Sequence, residues 1–192
     1  AATLEVVVAA LAGEVNGGLV RELRRAGADA VGLSGAAGGL LEADFHPPVG
    51  GVDLGFVGRV MRVAPWPLES RLALDRLPVV APLARGPHGG PLNVNADAAA
   101  AAVACALGAR RLLFLTDVEG VADEAGRCLE RLDAAAARRL LEGPAVTGGM
   151  RPKLAACLEA ADAGVGEVVI AGPGRREEAL SGGRGGTSLV AA

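Results

Sequence analysis

Residues 93–120 read NVNADAAAAAVACALGARRLLFLTDVEG, and this stretch decides the fold class. Asn95 is a natural N-cap, Asp97 puts a negative charge in the first turn, and Gly108 is a natural stop. The spacing therefore predicts a helix over Asn95 to Gly108. The apolar run Arg111–Leu115 is too short for a second helix and reads as a buried strand. It ends in Thr116-Asp117-Val118-Glu119-Gly120, a polar loop at the place where open α/β sheets hold ligands, beyond the carboxyl end of a strand.

The same alternation runs outward in both directions. Upstream, Leu4–Leu11 and Gly18–Ala26 read as helices, Asp29–Leu33 and Leu77–Ala81 as strands, and Leu68–Arg76 as a short helix. Val52–Val63 differs, because it alternates and carries glycines. It predicts an antiparallel ribbon inserted into the α/β order. Downstream, Glu130–Glu142 and Met150–Ala163 predict helices, the second stopped by Gly164, while Glu167–Ala171 and Thr187–Val190 predict strands. Such an order implies a mostly parallel sheet between helix layers. No linker divides the chain, so a single domain over residues 1–192 is expected.

Composition narrows the function. Against 22 Asp and Glu stand 19 Lys and Arg, a net charge of −3 that excludes the basic footprint of a nucleic-acid binder. Aromatic residues make up 2%, too few for base-stacking platforms, and an apolar share of 51% excludes disorder. Cys105, Cys128 and Cys157 form no CxxC pair, which argues for a reducing compartment and against a disulfide framework or zinc site. His46 and His88 sit beside Pro or Gly and read as loop histidines rather than metal ligands. No uncharged apolar run reaches the ~18 residues of a membrane span. No basic stretch precedes an apolar one near Ala1, so a cytoplasmic protein without a membrane partner is expected.

Four segments are candidates for chemistry: Gly32–Gly35, Asn93–Asp97, Thr116–Gly120 and Thr147–Lys153. Asn93, Asn95 and Asp97 put two amides and a carboxylate at alternate positions before an apolar helix, an arrangement suited to a polar ligand. In the last segment a glycine pair precedes a helix whose first turn carries Lys153. A cation there opposes the helix dipole, so local stability does not account for it, whereas phosphate contact does. Neither a GxxxxGK[ST] loop nor a GxGxxG, GxSxG or HExxH motif is present. Gly172-Pro173-Gly174 continues into Arg-Arg-Glu and is set aside.

The order of these segments resembles the amino-acid kinase superfamily, and within it the N-acetylglutamate kinases. The stretches that carry the resemblance are Leu92-Asn-Val-Asn-Ala-Asp97, Leu107-Gly-Ala109, Leu113-Phe-Leu-Thr-Asp-Val-Glu-Gly-Val121 and Gly148-Gly-Met-Arg-Pro-Lys153. Leu11–Asn16, Val31–Gly35, Val52–Gly58 and Gly186-Thr187 follow the same pattern in the same order. The resemblance implies a three-layer αβα sandwich, with residues 1–92 mainly on the acyl-amino-acid side and 93–192 mainly on the nucleotide side. It implies transfer of phosphate from ATP, bound with Mg²⁺ and without dedicated protein ligands for the metal, to the side-chain carboxylate of N-acetyl-L-glutamate. Carried over, Asn93 and Asn95 hold the substrate and Asp97 orders the catalytic groups. Thr116, Asp117, Val118, Glu119, Gly120, Val121 and Ala122 form the nucleotide site with Ala145, Val146, Thr147, Gly149 and Met150. Lys153 stabilises the transferring phosphoryl group.

The family further implies a homo-oligomer of at least two chains. It also implies a lysine-bearing strand, a Gly-Gly loop and a substrate-binding arginine ahead of the first residue here, so the chain is expected to start part-way into such a protein. Two alternatives are carried forward: a kinase for aminoadipate or glutamate held on a carrier protein, and a non-catalytic regulator built on the kinase fold.

Overall fold

The computed structural model describes residues 2–123, 125–144, 146–183 and 185–190. It divides into two compact units, Ala1–Ala99 and Ala100–Ala192, with the change of unit falling inside helix α4 (Ala96–Ala106).

The first unit opens with α1 (Ala2–Val8), a π-helical turn (Ala9–Val15) and α2 (Asn16–Arg25), which run on as one helical stretch of 24 residues. Two separate helices were expected. The glycines between them do not break the backbone, because the wide π turn takes up the irregularity around Gly13. Length and apolar composition alone would suffice for this stretch to cross a membrane, although Glu5 and Glu14 lie within it. Its inner face is fixed by Asn16 and Val20, both buried, and Asn16 Nδ2 donates to the Val79 carbonyl at 2.9 Å. There the helix meets strand β1 (Ala30–Ser34), which pairs in parallel with β4 (Leu77–Ala81) from Ala30–Leu77 to Ser34–Ala81. The approach demands glycine at position 32, since a Cβ would lie 2.3 Å from Asn16 Oδ1. Helix α3 (Trp66–Leu72) packs on β4.

The expected ribbon exists in a different place. Strand β3 starts at Val57, not Val52, and its antiparallel partner is β2 (Leu41–Phe45), which the sequence pattern had not marked. Residues 53–55 turn instead of extending, because Asp53 Oδ1 accepts from the Gly55 amide. With β5 (Leu83–Arg85) and β6 (Pro91–Val94) the pair closes into a small barrel in the order β2-β3-β6-β5.

In the second unit the strands run in the order β7 (Arg111–Leu115), β9 (Glu167–Ala171), β10 (Thr187–Val190), β8 (Arg131–Leu132). The β7–β9 and β10–β8 pairs are parallel and β9–β10 is antiparallel. The expected helix over Glu130–Glu142 starts later, because Arg131 and Leu132 pair with β10. Asp133 then caps α5 (Ala134–Glu142), its Oδ1 accepting from the Ala136 amide at 2.6 Å. Helix α6 (Met150–Asp162) is expected and found, as is its end before Gly164, whose φ of +93° suits glycine. Alternate residues of β9 build opposite faces. Val168 and Ile170 enter a core with Ala101, Ala104, Ala137, Leu154 and Cys157, while Val169 and Ala171 pack with Ala179 of α7 (Arg176–Leu180). This unit is therefore a helix–sheet–helix sandwich, and the chain is α/β as expected.

Candidate active site

In the second unit, Thr116 and Asp117 follow β7 directly, and Gly172 follows the parallel strand β9. Between these two carboxyl ends lies an open cavity of about 360 Å³, bounded by Leu115, Thr116, Asp117, Gly172, Pro173 and Arg176. The Thr116 amide donates to the Ala171 carbonyl at 3.1 Å, and its hydroxyl donates to Asp117 Oδ1 at 3.1 Å, so the carboxylate sits on a loop tied to both strands. Arg176 brings a guanidinium to the same rim. A cavity with one carboxylate, one guanidinium and a glycine turn at the ends of adjacent parallel strands can take a polar, phosphorylated ligand.

Of the residues expected to hold a nucleotide, Thr116 and Asp117 line this cavity. Val118 to Ala122 continue the loop beyond it. Glu119 is committed to bracing, since its Oε1 accepts from the Gly174 amide at 3.1 Å. The side chains of Val121 and Val146 lie in the core, so what either can offer a ligand is main chain. Thr147 and Gly149 are exposed and Met150 half-buried at the start of α6, and Gly148 has a φ of +55° that glycine adopts without strain. Ala145 lies outside the described residues. Lys153 is half-buried on the fourth residue of α6, with its Nζ 5.3 Å from the centroid of the Phe114 ring, in the strand that leads to Thr116.

The remaining expected residues belong to the first unit. Asn93 lies in β6, half-buried, and its amide donates to the Phe56 carbonyl at 2.9 Å. Asn95 caps α4, its Oδ1 accepting from the Ala98 amide at 3.0 Å, which leaves its Nδ2 as the group it can present. Asp97 is half-buried in the first turn of α4. A larger cavity of about 510 Å³ in this unit runs along the barrel past Glu42, Asp44 and Arg85, and none of Asn93, Asn95 and Asp97 lines it. Among the described residues, no group of three or more His, Cys, Asp or Glu side chains is placed to hold a metal ion.

Reading the residues alone missed Gly172, Pro173 and Arg176. A signal was available, because they follow a strand that pairs in parallel with β7, where a ligand site spans both strand ends. The missing GxGxxG spacing had hidden it.

The profile of the amino acid kinase family matches residues 1–172. The chain belongs to the amino acid kinase family. Within that family it is similar to the acetylglutamate kinase of Methanopyrus kandleri, 49% identical over 174 residues that cover 88% of this chain and 71% of that protein. It is also similar to the acetylglutamate kinase of Parvibaculum lavamentivorans, 42% identical over 88% of this chain. This member of the family spans 59% of the Parvibaculum protein's length. Among solved structures it is similar to smu.665 from Streptococcus mutans UA159, with a TM-score of 0.82 and 28% identity over 98% of this chain and 72% of that one. The amino acid kinase fold thus accounts for the strand–loop–helix order found around Thr116 and Lys153.

Proposed function

We propose that the chain carries the chemistry of an acetylglutamate kinase: transfer of the terminal phosphoryl group of ATP to the side-chain carboxylate of N-acetyl-L-glutamate, giving the acyl phosphate that arginine biosynthesis uses. The observation that carries the reading is the polar cavity at the ends of β7 and β9, in a chain 49% identical to a protein of that name. In this reading the nucleotide occupies the cavity and the Asp117–Ala122 loop, with Ala145–Thr147 and Gly149-Met150 as its second wall. The magnesium ion arrives with the nucleotide phosphates and supplies charge neutralisation there, and the protein adds no dedicated cage for it.

Phosphoryl transfer needs no covalent nucleophile from the protein. It needs alignment and positive charge on the non-bridging oxygens. Lys153 is the group that supplies the charge. Asn93 and Asn95 hold the acyl-amino acid through their amides, and Asp97 orders the catalytic groups. The substrates on this reading are ATP and N-acetyl-L-glutamate, and the protein is a cytoplasmic homo-oligomer of at least two chains. A coupled assay for ADP release, run with N-acetylglutamate beside glutamate and aminoadipate, tests it. Turnover with N-acetylglutamate alone is expected. Turnover confined to aminoadipate, or nucleotide-independent binding without any turnover, would replace the reading by one of its two rivals.

A further inference from the structure

Thr187, the first residue of β10, is only 2% exposed, yet nothing in the proposed chemistry uses it. Its Oγ1 accepts a hydrogen bond from the Val121 amide at 2.8 Å and donates one to the Leu129 carbonyl at 2.6 Å. Leu129 in turn donates its amide to the Val121 carbonyl at 2.8 Å. One buried hydroxyl therefore joins β10 to both segments that frame the loop after β7. The fit leaves no slack, since a Cβ on Gly120 would lie 2.5 Å from Thr187 Oγ1 and 2.7 Å from Cys128 Sγ. The other end of the loop is held as closely. Glu119 accepts from the Gly174 amide, and a Cβ on Gly172 would lie 2.4 Å from the Val118 carbonyl oxygen.

We propose that Thr187 is a positioning residue of the nucleotide site. Its hydroxyl fixes the course of the Asp117–Ala122 backbone, so the loop meets the nucleotide already shaped. The proposal rests on the reading of that loop as the nucleotide site. It follows from satisfaction of polar groups: Val121 is fully buried, so without the hydroxyl its amide loses its partner away from water, and the part-buried Leu129 carbonyl loses its donor. The cheapest relief is for the loop to move, which costs the ligand its preorganised surface.

The test combines amide hydrogen exchange with calorimetry, using a non-hydrolysable ATP analogue and Mg²⁺ on the full chain. Thr187→Val keeps the shape and removes the hydroxyl. It is expected to speed exchange of the Val121 amide and to weaken the analogue about tenfold, whereas Thr187→Ser restores both. Gly120→Ala, which crowds the same hydroxyl, gives a second route to the loosened loop should the valine variant not fold. Val168→Ala, a core change in the same sheet, controls for general loss of stability and is expected to leave the affinity within about twofold. Wild-type binding with equal affinity in Thr187→Val overturns the proposal alone. Absence of binding in the wild type overturns the nucleotide reading itself.

Discussion

An ammonium near the start of a helix works against the helix dipole, so Lys153 must be held there by something other than α6. The Phe114 ring provides part of that hold, with Nζ over its face. Two predictions follow from this pairing. If Lys153 neutralises the transferring phosphoryl group, Lys153→Ala lowers kcat on the order of 10²- to 10³-fold and moves KM much less. Lys153→Arg restores little, because a planar fork does not reproduce a compact ammonium. Steady-state kinetics decide, and a Lys153→Ala enzyme within about threefold of wild-type kcat removes the residue from the chemistry. Phe114→Leu keeps an apolar side chain in the core but takes away the ring face. It is expected to lower kcat roughly two- to fivefold with KM unchanged, the size of one modest cation–π contact. A fall as large as that of Lys153→Ala would mean that Phe114 acts through packing of the whole strand end.

The barrel shows how a strand can be specified by charge as well as by apolar pattern. Glu42 of β2 stands opposite Arg62 in the antiparallel register and opposite Arg85 in the parallel one, and it ion-pairs with both, Arg62 Nε lying 2.8 Å from Oε2. The hydrogen bond from Arg62, then that from Arg85, holds the Glu42 carboxyl at about 2 against its ordinary 4.5. The native state therefore gives up its negative charge later than the unfolded chain does. The stabilisation is complete above pH 4.5 and is lost as the pH falls from there toward 2. Acid unfolding followed by far-UV circular dichroism should show Glu42→Gln less stable near neutrality and less sensitive to pH across that window. Parallel curves for the two proteins would mean that the clamp contributes nothing. This same region was the least legible in the sequence. Strands β2, β5 and β6 are three to five residues long, lie among Gly and Pro, and owe their existence to pairing with segments distant in the chain. Helices α4 and α6 could be read because Asn95, Gly108 and Gly164 punctuate long periodic runs, whereas the two-residue strand β8 and the short helix α7 carry no such signal. At the site, Thr116 and Asp117 were legible as the polar end of a strand. Arg176 was not, since it lines the same cavity as Asp117 only because β9 lies beside β7.

At the scale of the whole chain, Asn93, Asn95 and Asp97 belong to one unit and the Thr116 loop and Lys153 to the other. On the proposed function, each ligand should therefore leave its footprint on a different stretch of the chain. Hydrogen exchange resolved along the chain is expected to slow over residues 113–122 and 170–176 with an ATP analogue, and over 91–97 with N-acetylglutamate. Nucleotide protection confined to residues 1–99 would misplace the proposed site. The sheets of the first unit differ in how they end. The barrel strands close on one another, whereas β1 and β4 pair only with each other among the described residues, and the outer edge of β1 is met at Ala30, whose carbonyl accepts from Arg24 Nε of α2 at 2.8 Å. Pro78 breaks the row of amides on β4, but β1 presents Ala-Val-Gly-Leu-Ser without a charge or a proline. When the covering helix α2 frays on warming, that edge is a template for the extended segments of other chains. Loss of soluble protein should then begin by strand recruitment at β1, before either core has melted.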